Sequence, residues 1–407
     1  MRSVLSQLPL RPPDPLLGVM MAYRADPRPD KFDLGVGVYK DTSGKTPIMA
    51  AVREAETRIF AHAETKVYQS QRGDEVFNAG IEHLIFGEGA TTLSDHRTAS
   101  FTAPGGCGAL FLGIQLSGRL APEGRVWVSD PSWPNHIGLA QAIGRNVLGY
   151  PYLDPAKGGL AFSAMMDALR QAQPGDVLIL QGPCHNPTGV DLSEEQWAYM
   201  GDFCRRQMII PLVDIAYHGF GDDFDTDMAG VRAFLEACPS ALISYSCSKN
   251  FGLYRERVGC FIVQGETVAQ ATAAGSHVAE IARTCYSMPP AHGAAVVAEI
   301  LGDEGLRASW TEEVTSMRGR LNTLRQALSE ALAEQLGSPA LDYINRQKGM
   351  FSTLPLTGPM ADMVRVQAGV YMPASGRINI AGLSEERIPE LAGRLAPYLA
   401  QSVSPVG

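Results

Sequence analysis

Short apolar runs rich in β-branched residues punctuate the middle of the chain. They are RVWVSD (125–130), DVLILQG (176–182), MIIPLVDIAY (208–217), ALISYSCSK (241–249) and RVGCFIVQG (257–265), each bounded by Gly, Pro, Asp or Ser. Their length and unbroken apolar character predict buried strands. Between several of them the apolar residues recur every three or four positions, as in SEEQWAYMGDFCRRQ (193–207). Ser193 with Gln196 three residues on predicts a capping box at the start of that helix. Strands alternating with helices predict an α/β fold, with a mostly parallel sheet covered by helices.

The rhythm changes near residue 308. In SWTEEVTSMRGRLNTLRQALSEALAEQLG, residues Val314, Met317, Leu321, Leu324, Leu328 and Leu332 step by three or four. That spacing predicts one long amphipathic helix, with Gly337 just past its end. A further helical pattern covers about 384–402. By this change we expect a large domain at 46–309 and a smaller α/β domain made of 15–45 and 310–407. Residues 1–14, rich in proline, read as an extended N-terminal arm of the kind that lies on a partner subunit.

Composition narrows the function without naming it. A chain of 407 residues, 45% hydrophobic and 19% charged, has the make-up of a globular protein with a sizeable core. A net charge of −9 argues against a nucleic-acid partner. No apolar run is long enough to span a bilayer, and prolines break the N-terminal stretch, so neither a membrane segment nor a signal peptide is expected. The seven cysteines form no CxxC pair and the eight histidines show no ligand spacing. Reduced thiols, a cytoplasmic location and no metal follow as expectations.

Parallel sheets hold ligands at the C-terminal edge of their strands. Just past the first run stand Trp133, Asn135 and His136; past the second, His185, Asn186 and Thr188. The third run ends in Asp214 and Tyr217. The fourth ends in Ser246, Ser248 and Lys249, with Arg257 opening the fifth. Gly105, Gly106 and Cys107 lie in a Gly-rich turn that opens a helix, where backbone N–H groups can face an anion. Singly, each has an ordinary reading: a strand-end lysine, a capping aspartate, a core tryptophan, a turn at Asn186–Pro187. Together they are a nucleophilic lysine, an acid, a phenol, an amide, an aromatic plate and a phosphate cradle. That set suits pyridoxal 5′-phosphate. The lysine forms a Schiff base with its aldehyde, and the aspartate keeps its ring nitrogen protonated so that the ring serves as an electron sink. The helix start, the serines and the arginine bind its phosphate.

The segment SYSCSKNFGLYRERVG (244–259) closely resembles the cofactor-lysine segment of class I aminotransferases, in the aspartate and aromatic amino acid subgroup. LGVGVYKD (34–41), KVYQSQRGDEVF (66–77), GGCGAL (105–110), VSDPSWPNH (128–136), CHNPTGVDL (184–192), VDIAYHGFG (213–221), ARTCYSMPP (282–290), KGMFS (348–352) and ASGRINIAGL (374–383) fit the same pattern in the same order. The resemblance implies the type I fold of pyridoxal-phosphate transferases, with a seven-stranded-type sheet. It implies a homodimer with shared active sites, and amino acids and 2-oxo acids as substrates. It makes Lys249 the Schiff-base lysine and proton shuttle, and Asp214 the partner of the ring nitrogen. Tyr217 and Asn186 become the donors to the phenolic oxygen, and Trp133 the plate on the ring. Ser246, Ser248, Arg257 and the amides of Gly106 and Cys107 match the phosphate site, with Tyr68 reaching the neighbouring subunit's phosphate. Arg377, beside the Gly37 backbone, matches the clamp on the α-carboxylate. Arg283 matches the arginine that meets a side-chain carboxylate across the dimer. Cis peptides are implied at Asp130–Pro131 and Asn186–Pro187.

Three departures stand out: those in the phosphate turn and at Met288 resemble the aromatic-accepting members, and the one at Gln181 bears on the support behind the cofactor ring. Gly105 and Cys107 replace hydroxyl residues common in aspartate-specific members, Gln181 replaces a frequent histidine, and Met288 stands where those members carry asparagine. The expected activity is therefore transfer of the amino group of tyrosine, phenylalanine and aspartate to 2-oxoglutarate in a ping-pong cycle. The alternative is an enzyme restricted to dicarboxylic substrates. A ligand-sensing regulator is a further reading, separated by conversion of bound cofactor to its pyridoxamine form on adding an amino acid; elimination or decarboxylation on the same scaffold is another, separated by product analysis.

Overall fold

A computed structural model describes residues 4–10, 15–356 and 358–403 of the chain. Its centre is a sheet of β1 (Thr98–Pro104), β2 (Val126–Asp130), β3 (Val147–Pro151), β4 (Val177–Gln181), β5 (Ile210–Ile215), β6 (Ala241–Ser246) and β7 (Val258–Gln264). The spatial order is β1-β7-β6-β5-β4-β2-β3. β7 runs antiparallel to both neighbours and every other adjacent pair is parallel. Both faces are covered, which is why the central strands read as unbroken apolar runs. In β4, Val177 and Ile179 join one core cluster while Leu178 and Leu180 join the other. The first cluster includes Leu112 and Leu116 of helix α1 (Gly105–Leu120).

Five of these strands coincide with the predicted runs; β1 and β3 do not. β1 is TASFTAP, whose hydroxyls interrupt any apolar pattern, yet it is buried because those hydroxyls find partners. Thr102 Oγ1 donates to Asn78 Oδ1 (3.0 Å) and accepts from the Asp74 N–H (3.0 Å). β3 is the edge strand opposite β1, its Gly149 exposed, so it needs no apolar run.

The expected capping box is present at α2 (Glu194–Gln207): Ser193 Oγ accepts the Gln196 N–H (3.2 Å) and Gln196 Oε1 accepts the Ser193 N–H (2.9 Å). The long helix α3 (Glu304–Leu336) starts four residues before the periodicity suggested, because Asp303 caps it by accepting the Leu306 N–H (2.8 Å). Gly337 closes it in the left-handed conformation (φ 61°). The apolar stripe from Val314 to Leu332 is buried, and it extends to Trp310, which stacks on Phe251 (4.4 Å) and donates its indole N–H to the Asn250 carbonyl (2.7 Å). Helix α4 (Ile388–Val403) packs along α3.

Of three short ladders outside the large sheet, two draw distant parts of the chain together. Phe32–Asp33 pairs with Val370–Tyr371, and Phe351–Thr353 with Arg377–Asn379. Of the N-terminal arm, residues 1–3 and 11–14 lie outside the described residues, while Val4–Gln7 form a single 3₁₀ turn rather than extended chain. Among the described residues, no helix is long and apolar enough to cross a membrane.

Candidate active site

β2, β4, β5 and β6 end along one edge of the sheet, and antiparallel β7 begins there. The register aligns Gln181 with Asp214, Asp214 with Ser244, Ser246 with Gly259, and Pro104 with Val258. Residues that precede β7 therefore meet residues that follow the other strands, which brings Arg257 beside Ser248 and the α1 start. The edge borders a cavity of about 240 Å³. Gly106, Cys107, Trp133, Asn186, Asp214, Tyr217, Ser246, Ser248, Lys249 and Arg257 line it, and Gly37 and Arg377 close it from the segments bearing the short ladders.

Lys249 follows β6 and holds its Nζ 5.1 Å from the centre of the Tyr217 ring. Burial pushes its amine below the ordinary lysine pKa; Asp214 and Cys107 oppose that shift, and Arg257 and Arg377 add to it. Asp214 is buried, with Oδ2 2.9 Å from His136 Nε2. The same ring reaches Ser132 Oγ from Nδ1 (3.0 Å), so the imidazole bridges the carboxylate to the loop after β2. Burial drives the Tyr217 phenol well above its usual range, so it stays protonated. Its oxygen accepts from Asn186 Nδ2 at 3.4 Å.

Arg377 is only 4% exposed. It donates from Nη2 to the Gly35 carbonyl (2.7 Å) and from Nη1 to Asn186 Oδ1 (3.4 Å), and lies over the Phe351 ring (4.4 Å). Its Nε is buried without a hydrogen-bond partner in the structure. Burial lowers its pKa, but a guanidinium stays charged at any pH a protein survives. A forked, desolvated cation of this kind suits a carboxylate.

At the other end, the first turn of α1 aims backbone N–H groups and the positive end of a 16-residue helix at the cavity. A Cβ on Gly105 (φ 74°) would lie 2.4 Å from Arg257 Nη2, and one on Gly106 would lie 2.9 Å from Ser246 Cβ. Only glycine lets the amides, Ser246 and Arg257 converge. Arg257 Nη1 donates to the Tyr254 carbonyl (3.0 Å) and reaches Ser248 Oγ (3.5 Å). Cys107 adds a thiol, not a hydroxyl; burial raises its pKa, and its sulfur accepts from Asn135 Nδ2 (3.3 Å). An amine, a carboxylate, a phenol and a glycine-lined anion cradle around one cavity fit pyridoxal 5′-phosphate.

Tyr68 and Arg283 do not line this cavity. Tyr68 is 90% exposed, and the exposed Arg283 donates to Ser287 Oγ (2.5 Å). Met288 accepts the Gln69 N–H at its sulfur (3.3 Å), close in sequence to Tyr68. Both Asp130–Pro131 and Asn186–Pro187 are cis. Phe351, Tyr254 and Leu16 also line the cavity, although no site role was expected of them, and so does Gln181, which the sequence marks as replacing a frequent histidine. KGMFS flagged the neighbourhood of Phe351, but a phenylalanine carries no chemical signal of its own.

Comparison with known proteins follows the same lines. Residues 29–395 match the family described as Aminotransferase class I and II. The chain is 44% identical over 389 residues to an aromatic-amino-acid aminotransferase of Pseudomonas aeruginosa, covering 96% of this chain and 97% of that one. It is 40% identical over 391 residues to an aspartate aminotransferase of Escherichia coli, covering 95% and 98%. Among solved structures it is similar to an aromatic-amino-acid aminotransferase from Burkholderia pseudomallei, covalently bound to pyridoxal phosphate. The TM-score is 0.94 and the identity 38%, over 98% of this chain and all of that one.

Proposed function

The chain belongs to the class I and II aminotransferases, and from that premise we propose that it transfers amino groups from both aromatic and dicarboxylic amino acids to 2-oxoglutarate. It is a pyridoxal-phosphate-dependent transaminase. The observation that carries the reading is the meeting of Lys249, Asp214 and Arg377 around one cavity. These supply a base, a proton-holding carboxylate and a carboxylate clamp.

When bound, the cofactor supplies an electron-withdrawing ring that accepts the electron pair left as the substrate Cα–H bond breaks. The protein's part is to bind, orient and move one proton. Gly106, Cys107, Ser246, Ser248 and Arg257 hold the phosphate, and Trp133 covers the ring. Asp214, fixed by His136, keeps the proton on the ring nitrogen. Asn186 and Tyr217 donate to the phenolic oxygen. Arg377, beside Gly37, grips the α-carboxylate with two donors and so turns Cα toward Lys249. Lys249 Nζ, with its pKa lowered by burial, takes the Cα proton at a pH where an ordinary lysine is charged.

We place Tyr68 and Arg283 at the neighbouring subunit's site, in a homodimer; their position outside their own cavity supports this. An arginine at that point favours dicarboxylates. Its hydrogen bond to Ser287 gives it a partner when the substrate carries a ring instead, which supports the aromatic half of the reading. Free thiols at all seven cysteines suit a reducing compartment, and we assign the enzyme to the cytoplasm.

The test is kcat/KM for phenylalanine, tyrosine and aspartate with 2-oxoglutarate. Values within about 100-fold of one another are expected, since one pocket contact is worth that order of discrimination. Aromatic values lower than aspartate by about 10⁴-fold would leave a dicarboxylate-restricted enzyme.

A further inference from the structure

We propose that Gln181 is a positioning residue for the reaction: its amide holds both backbone poles of Asn186, and through them aims the Asn186 side chain. Gln181 ends β4 and is 9% exposed. Its Oε1 accepts the Asn186 N–H (2.9 Å), and its Nε2 donates to the Asn186 carbonyl (2.9 Å). Nε2 also lies 3.0 Å from His185 Nε2. The bond from the Asn186 N–H fixes which end of the amide is oxygen, so Nε2 can only donate. His185 Nε2 is then an acceptor, and its proton sits on Nδ1, facing Thr188 Oγ1 (2.9 Å). Burial keeps that imidazole neutral, with Tyr152 stacked on it at 3.9 Å. Every donor and acceptor of the Gln181 amide is engaged.

The consequence lies one residue on. The Asn186 side chain faces both working ends of the cavity: Nδ2 reaches the Tyr217 hydroxyl and Oδ1 receives Arg377 Nη1, each at 3.4 Å. Both contacts are long, so a small shift of the Asn186 backbone breaks them. The rest of the loop has its own anchor, because Asp191 accepts the N–H groups of Cys184 and His185 (2.8 and 2.9 Å). Among the described residues, Gln181 alone holds the backbone of Asn186 from the strand side. No charge is involved, so the hold does not titrate.

The inference rests on the cofactor reading above, and the test separates the two. Gln181→Leu and Gln181→Glu are loaded with pyridoxal phosphate, and visible absorbance is titrated against pH. The dissociation constant of 3-phenylpropionate, an inert carboxylate, is measured alongside. With Asn186 displaced, the phenolic oxygen loses a donor and holds its shared proton more tightly. The midpoint moves up by about half to one pH unit, and the dissociation constant rises about five- to tenfold. Gln181→Glu keeps the acceptor but loses the donor, so its midpoint moves the same way, even if Gln181→Leu does not fold. Gln264→Leu, at a buried glutamine remote from the cavity, lowers the melting temperature and moves neither reading. An unmoved midpoint and dissociation constant in the Gln181 variants would reduce the residue to a structural one. A wild-type protein with no visible band would overturn the cofactor reading itself.

Discussion

An amine is a base near neutral pH only where its charged form is made costly. Lys249 meets that condition through burial, with two arginines nearby. Its folded pKa lies below the 10.5 of an unfolded lysine. Between those two values the unfolded chain holds more protons, so this group makes the cofactor-free protein more stable as pH rises through that window. Below the window both states are protonated and the buried charge is a standing cost. Lys249→Met in cofactor-free protein is therefore expected to raise the melting temperature most at neutral pH and least near pH 10, by calorimetry across that range. Asp214→Ala is expected to slow exchange of the substrate Cα hydrogen by about 10³-fold, the order attributed to a lost electrostatic or proton-holding group. Unchanged exchange, followed by NMR in heavy water, removes Asp214 from the mechanism. Lys249, Asp214 and Arg257 were legible in the sequence because a charged residue at the end of an apolar run is conspicuous. Gln181 stood out only as a departure from the resemblance, because it works through its neighbour's backbone; Phe351 was not legible, because it works through its ring and leaves no pattern.

At the scale of elements, α3 does more than cover the sheet. Trp310 stacks on Phe251 and bonds the Asn250 carbonyl, so it fixes the two residues that follow Lys249. Trp310→Ala is expected to cost about 3–5 kcal/mol by cavity formation. Denaturant unfolding measures that loss, and a weaker cofactor affinity accompanies it. Arg325, on the same helix, is buried and donates to the carbonyls of Ile344, Gly349 and Phe351 and to Ser352 Oγ. Burial lowers its pKa to about 10. It braces the turn that puts Phe351 under Arg377, and Arg325→Met is expected to cost about 2–3 kcal/mol by leaving those acceptors unmet. The periodicity of α3 was plain in the sequence, whereas Arg325 drew no notice there, although it falls four residues after Leu321 on the same buried face. β1 was hidden for a related reason: its hydroxyls look exposed until Asn78 and Asp74 are brought against them by the fold.

At the scale of the molecule, the cavity draws Lys249, Asp214 and Arg257 from the large sheet, and Arg377 and Gly37 from the segments joined by the short ladders. We propose that 15–45 and 310–407 form the smaller unit, so that gripping a substrate carboxylate draws the two parts together. The homodimer reading has its own test. Mixing Lys249→Ala with Arg283→Asp after joint unfolding and refolding is expected to restore activity on aspartate, because one site of each mixed dimer then has both intact residues. No restoration would place Arg283 in its own subunit or outside the site.

The most direct measurement is chemical. The protein is loaded with pyridoxal phosphate, reduced with borohydride, digested and mapped by mass spectrometry. The expected result is one reduced cofactor per chain, fixed to Lys249 and absent from Lys249→Ala. A label on another lysine, or none, would contradict the assignment.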